Sequence, residues 1–190
     1  MHCNNKKQII AVSVTVGLII LLLVVICLIY DINKRFPEPS IMTYSNSIPA
    51  DEDGLIMKPI ECRIYTYEEY YDIYGEDGAY AYAKMYESNK MRIVTFSVQI
   101  ENTTSESITY ETDGFQMMGK KSGINNGVLL ENNIKNIATI ESGEIQQYTL
   151  SALILTPSLI KKKWFNRLDE ETFYLVYNWY PVIKRLEYKV

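Results

Sequence analysis

RIVTFSVQIENTTSESITYETDGF, residues 92–115, is the stretch whose reading decides the fold. In its first half Val94, Phe96, Val98 and Ile100 alternate with Thr95, Ser97, Gln99 and Glu101. A period of two sends one set of side chains to a buried face and the other toward water, as in a half-buried β-strand. Ile108 and Tyr110 resume the alternation, with Thr109 and Glu111 outward, and the polar run NTTSES lies between the two. The stretch therefore reads as a hairpin, the central pair of strands in a sheet. Asp113-Gly114 ends the second strand, because glycine accepts the positive φ of a tight turn.

Working outward, the same signals recur. Ile56 to Tyr65 offers a first strand or two, and Val128 to Leu130 follows an Asn126-Gly127 turn. Ile137 to Ile140 is a short strand; Tyr148, Leu150, Ala152 and Ile154 alternate cleanly; Phe173 to Tyr180 is aromatic and β-branched. Leu186 to Val190 closes the chain, with Arg185, Glu187 and Lys189 pointing outward. About seven short strands separated by turn residues imply an all-β domain, a β-sandwich over residues 54–190. One short helical insertion is expected at Thr156-Pro157, where Thr156 caps, Pro157 takes the first helical position and Ile160, Trp164 and Leu168 recur four apart. Lys161-Lys162-Lys163 would be its solvated face. Thr66-Tyr67-Glu68-Glu69 has the form of a capping box and predicts a second helical turn.

The other end of the chain has a different character. Ile9 to Tyr30 is 22 residues without a charge, 16 of them leucine, isoleucine or valine. As a helix rising about 1.5 Å per residue it reaches roughly 33 Å, enough for a hydrocarbon core of about 30 Å. Each Leu, Ile or Val at the helix centre favours insertion by roughly 0.3–0.6 kcal/mol, which outweighs Ser13, Thr15 and Gly17. The run is long for a cleaved secretory signal, and Ile26 is too bulky to precede a lipidated Cys27, so the segment reads as an uncleaved transmembrane signal anchor, with a cleaved signal as the alternative. The expected organisation is a cytosolic tail at 1–8, a transmembrane helix at 9–30, a proline-containing stalk at 31–53 and an exported domain at 54–190. This puts a single-pass protein in the cell membrane, N-terminus cytoplasmic, with Ile9 to Tyr30 in contact with the bilayer. Ser13 and Gly17 form a small-xxx-small pair, too common in apolar helices to assign a homo-oligomer.

The residues exclude several chemistries. The single histidine is His2, in the tail, so a Ser-His-Asp or Cys-His site is not expected outside. Cys62 is the only cysteine of the outer part, which allows no disulfide within it. Asp51-Glu52-Asp53-Gly54 fails the calcium-loop pattern, since Leu55, Ile56 and Cys62 stand where an oxygen ligand, a glycine and a glutamate are needed; it and Glu76-Asp77-Gly78 read as turns. No glycine-rich phosphate loop is present, and Asn102-Thr103-Thr104 reads as the hairpin turn rather than a glycosylation site. From Asp31 on, 17 basic and 23 acidic residues give a net −6, which argues against nucleic acid as a partner. The expectation is no catalytic residue, no cofactor and no metal, hence no enzyme.

One compositional feature stands out. Eight of the 16 tyrosines fall between Tyr65 and Tyr86. Tyrosine offers a broad apolar face and a hydroxyl at low entropic cost, which suits recognition. Tyr70, Tyr71, Tyr80 and Tyr82 are the candidate contact patch for an envelope protein or a glycan. The competing reading has half of the cluster facing the core and the rest on sheet faces, where aromatic side chains are favoured.

In VTFSVQIENTTSESITY, the strand that follows at Gly114-Phe115 and the late LTPSLI turn, the chain resembles uncharacterised Gram-positive (gut Firmicutes) proteins, membrane-anchored or lipoproteins, with an immunoglobulin-like domain. The resemblance covers Leu55 to Val190. It implies a sandwich fold and a cell-envelope location, and carries over no catalytic residue. The lack of a credible lipobox sets this chain apart from the lipoprotein members. Together these features describe an extracytoplasmic binding module. The alternative is a small regulatory, sensor-accessory or immunity-type subunit coupled to a membrane protein through its helix. An exported hydrolase using carboxylates is a third reading with no residue pair to carry it.

Overall fold

The computed structural model of the chain describes residues 2–36, 38–111, 114–131 and 137–190. It divides into two units, Met1–Pro39 and Ser40–Val190. The first is one α-helix, α1 (His2–Arg35), which outruns the expected span 9–30 at both ends. Lys34 and Arg35 in its last turn complement the negative end of the helix dipole. Its stretch Val14–Arg35, with mean hydropathy 2.8 and no burial, is long and apolar enough to cross a membrane, a test that signal sequences also meet.

The second unit is mostly strand, and the described residues form twelve strands. One sheet has the order β1 (Ser40–Tyr44), β12 (Val182–Lys189), β11 (Thr172–Asn178), β6 (Gln116–Gly119), β7 (Asn125–Gly127). The other runs β2 (Ala50–Glu52), β3 (Leu55–Tyr65), β4 (Met91–Asn102), β10 (Ile145–Leu155), β8 (Leu129–Leu130). A separate pair joins β5 (Ile108–Glu111) to β9 (Ile137–Ile140). The two larger sheets share one core. Val94, Phe96, Val98 and Ile100 point into it, as their alternation predicts, and meet Phe173, Leu175, Leu186 and Tyr188 of the opposite sheet. Phe96 lies edge-on to Phe173 (5.9 Å between ring centres) and to Tyr188 (5.2 Å), the aromatic geometry favoured by ring quadrupoles.

Several expectations need correction. Residues 92–115 are not a hairpin: β4 bonds β3 and β10, and β5 pairs with β9. Both edges of β4 are already occupied, and buried Asn102 turns the chain away. Its Nδ2 donates to Glu106 O (2.7 Å) and Ile140 O (2.9 Å), while its Oδ1 accepts from Thr104 N and Oγ1. The end of that stretch at Asp113 lies outside the described residues. The segment 31–53 is not all stalk, because β1 and β2 lie within it. β1 runs parallel to β12, Ser40 opposite Val182, and β2 folds onto β3 through a turn in which Asp53 and Gly54 take φ of 52° and 90°. Pro39 and Pro49 each stand just before a strand rather than in a spacer.

The strand number exceeds the expected seven or so because β2, β7 and β8 span three residues or fewer, too short for a readable alternation. Asn126-Gly127 is not a turn but part of edge strand β7, with Asn126 Nδ2 donating to Leu153 O at 2.7 Å. The actual reversal, at 119–124, is held by buried Glu171, whose carboxylate accepts from the backbone N–H of Lys121, Ser122 and Thr172 (2.8–2.9 Å). The helical insertion is shorter and later than expected: α3 covers Lys162–Phe165, and a 3₁₀ turn covers Leu168–Glu170. Thr156 does not cap it; its hydroxyl donates to Ile160 O. Ile160 and Leu168 are nonetheless buried and Lys161, Lys162 and Lys163 exposed, so the four-residue recurrence reported burial without reporting helix length.

Candidate functional site

The tyrosine-rich segment covers one end of the outer face of the β3–β4–β10 sheet. That is why Met91, Ile93 and Thr95 of β4 are buried although they lie opposite the core-facing set. The segment begins with α2 (Tyr67–Tyr74), and its start is the expected capping box: Thr66 Oγ1 accepts from Glu69 N (3.3 Å) and Thr66 N donates to Glu69 Oε2 (2.8 Å). The Thr66 N–H and hydroxyl hold the Glu69 carboxyl below its ordinary range. Three 3₁₀ turns follow, Gly75–Asp77, Ala81–Met85 and Ser88–Lys90. Glu76-Asp77-Gly78 is thus a turn, as its sequence suggests.

Glu131 fastens this segment to the sheet. It is buried, and its bonded partners are all neutral donors. Tyr70 Oη donates to Oε1 at 2.6 Å, Ala79 N to Oε2 at 3.0 Å, and Ser151 Oγ of β10 to Oε1. The Tyr70 hydroxyl also accepts from Tyr80 N (3.1 Å), and its ring stacks on Tyr74 at 4.8 Å. Burial, then the bond to Glu131, raises the Tyr70 hydroxyl far above its ordinary range. Burial pushes Tyr74 and Tyr80 up to about 12. These hydroxyls therefore remain protonated donors across the physiological range. Gly78 sits in the angle of the clamp, where an added Cβ would lie 2.8 Å from Tyr70 Oη and 2.9 Å from Tyr74 Cβ.

The four candidate contact tyrosines part company here. Tyr70 and Tyr80 are core residues and offer no contact surface, which corrects the expected patch. The physical reason is the i, i+4 spacing of Tyr70 and Tyr74, which turns both rings to the inner face of α2. Tyr71 is half-buried beside Tyr67, with ring centres 5.7 Å apart, and Tyr82 is 49% exposed. The accessible apolar residues of this segment are Tyr82 with Ile73, Met85 and Tyr86; Met85 is 72% exposed. Sequence reasoning singled out only Tyr82 of these four, and Met85 and Ile73 carry no signal beyond hydrophobicity.

Other candidate groups are structural. Cys62 is buried, and desolvation followed by the Glu61 charge pushes its thiol well up, which leaves no reactive thiolate. Asn102 has its amide nitrogen fully engaged, unlike a glycosylation acceptor. Asp51 turns its carboxylate to Gly54 N (3.0 Å) at the β2–β3 turn. Among the described residues no group of three or more His, Cys, Asp or Glu side chains is placed to hold a metal ion.

No known protein family matches the chain, and no curated protein matches it. Solved structures do. An uncharacterised β-sandwich protein of Clostridium difficile 630 is similar over 80% of this chain and 97% of its own, at 8% identity and a TM-score of 0.44. A functionally unknown protein of Listeria monocytogenes EGD-e is similar over 70% of this chain and 72% of its own, at 14% identity and a TM-score of 0.43. The yjhA protein of Bacillus subtilis shares 17% identity over 72% of this chain and 81% of its own, with a TM-score of 0.37.

Proposed function

We propose that the chain is a membrane-anchored interaction module of a bacterial cell envelope, without catalysis, whose immunoglobulin-like sandwich lies on the extracytoplasmic side. The observation that carries this reading is α1, whose stretch Val14–Arg35 leaves an apolar surface of membrane-spanning length entirely uncovered. Apolar surface on that scale is favourable only in lipid or against a partner. The unit that follows encloses its own core and binds as a rigid scaffold does, through exposed side chains and sheet edges. Its partner is an envelope protein or a glycan, and the N-terminus is cytoplasmic.

The test is in-cell cross-linking of the tagged full-length protein, with protease digestion of intact cells to establish the side on which the second unit lies. Loss of the second unit to external protease, with a reproducible cross-linked partner, supports the reading. Complete protection overturns the topology. Exchange of Ile9 to Tyr30 for an unrelated span separates this reading from a subunit coupled through its helix: a tethered module keeps its partner, a coupled subunit loses it.

A further inference from the structure

Both large sheets leave an edge open at one corner. β1 covers β12 only as far as the Tyr44–Leu186 pair, and β2 covers β3 only over Leu55–Met57. Among the described residues no strand lies against the outer side of β3 from Pro59 to Tyr65, or of β12 beyond Leu186. Between these edges is a cleft of about 590 Å³, bounded by Ser45–Ser47, Pro59–Cys62 and Glu187–Lys189. A second hollow of about 530 Å³ adjoins it at Cys62 and continues along β3 to Glu69, Asp72 and Ile73 of α2.

The ladder shows which backbone groups are unused. Asn102 N donates to Glu144 O (3.0 Å) and Asn102 O accepts from Gly143 N (2.8 Å), so Asn102 faces the β10 side. Antiparallel residues alternate in this respect. Ser97, Thr95 and Ile93 therefore bond the β3 residues opposite them, Glu61, Arg63 and Tyr65. Cys62 and Ile64, which lie between those, turn their N–H and C=O groups outward along the cleft. Pro59 stands where an edge tolerates proline, and the register shift between Pro59 and Glu61 leaves Ile60 41% exposed.

The lining carries four carboxylates, Glu61, Glu69, Asp72 and Glu187, against two cations, Arg63 and Lys189. Arg63 is taken by Glu61 at 2.7 Å and Lys189 lies 3.9 Å from Glu187, which leaves the excess on Glu69 and Asp72. A second copy of this edge would meet the same acidic excess, and proline with a bulge blunts self-pairing further. An incoming strand with basic side chains on one face and apolar ones on the other meets no such penalty. Its apolar side chains find Ile60, which is exposed.

We propose that the open edge of β3 takes an extended segment of a partner protein, alternating basic and apolar residues, as an added strand bonded to the backbone of Cys62 and Ile64. The proposal rests on the interaction-module reading and names its site and the class of its partner.

The test uses the full chain in phosphatidylcholine nanodiscs and four end-capped fluorescent heptapeptides. One alternates lysine and valine, one alternates glutamate and valine, and two are lysine–valine peptides N-methylated on every lysine or on every valine. Alternate N–H groups of a strand lie on one edge, so only one methylated set blocks pairing. The expected result is lysine–valine binding roughly tenfold tighter than glutamate–valine, retained by one methylated peptide and lost by the other. Asp72→Lys and Glu187→Lys each weaken the lysine–valine peptide about tenfold at low salt. No preference for lysine–valine, or equal effects of both methylation patterns, overturns the proposal, and the peptides need no altered protein. Binding that ignores both charge reversals places the surface elsewhere: the inference falls while the module reading stands. Absence of any partner in the cellular cross-linking removes the module reading by its own experiment.

Discussion

Replacing Glu131 by alanine strips the tyrosine-rich segment of its fastening. Three donors lose their acceptor: the buried Tyr70 Oη and Ser151 Oγ, and the half-buried Ala79 N. A buried donor left unpaired costs about 1–3 kcal/mol. Water entering the vacated space recovers part of this, which leaves a loss of roughly 3–6 kcal/mol. That is a large share of the about 5–15 kcal/mol that holds a domain folded. The loss is local first, because the residues concerned form their own apolar cluster, Tyr70, Tyr80, Ala83, Met91, Ile93 and Leu153, apart from the main core. Urea titration of Glu131→Ala and Tyr70→Phe, with amide exchange of both, checks the reasoning. The amides of Ala79 and Tyr80 lose protection in Glu131→Ala, while those of the central strand β4 keep it. Tyr70→Phe costs about 1–3 kcal/mol, as expected when a buried partner is left unsatisfied, and the double variant falls short of the sum because the two share that bond. A loss under about 1 kcal/mol for Glu131→Ala, or unchanged exchange at Ala79 and Tyr80, refutes the account.

Other outcomes follow from the same geometry. Gly78→Ala, whose methyl would press on Tyr70 Oη, destabilises by about 1–3 kcal/mol in urea titration, whereas Gly127→Ala, with nothing within 4 Å, changes stability by less than about 1 kcal/mol. Glu171 is the acid-sensitive group at the β6–β7 reversal. Although burial opposes its charge, the N–H groups of Lys121, Ser122 and Thr172 lower its pKa from 4.5. Because the folded value is the lower one, its contribution is complete above about pH 4.5 and is lost as the pH falls through the folded value. The urea midpoints of wild type and Glu171→Gln therefore converge as the pH drops below about 4.5, and a constant difference refutes the assignment. Thr66→Ala, which removes the α2 cap, costs about 1 kcal/mol and raises exchange at the first-turn amide of Glu69.

What the sequence disclosed depended on how local each feature is. The alternation in 94–100 and 148–154 gave correct faces because a central strand is half buried by its own period, and the Thr66 cap lay within four residues. The partner of Ile108–Glu111 was not legible, since pairing with Ile137–Ile140 arises from Asn102 redirecting the chain, an event visible only in three dimensions. β1 and β2 hid behind prolines that mark strand starts as well as linkers. The tyrosines were found as a cluster but not sorted, because one residue type serves both faces of α2, and Tyr70 shows its role only beside Glu131, 61 residues away. The open edge of β3 was invisible for a similar reason: it depends on where two other strands stop.

The pairing of β1 with β12 has a mechanical consequence. The two strands run parallel over five register pairs, from Ser40–Val182 to Tyr44–Leu186. A pull that enters at Ser40 and leaves through Lys189 draws them in opposite directions along their common axis. All the bonds between them then bear load together, in shear, whereas an antiparallel pair pulled from one end opens like a zip, one bond at a time. Forced unfolding is governed by the rate of escape over that barrier rather than by equilibrium stability. A domain tethered at its first strand and gripped near its last would hold against tension out of proportion to its modest size.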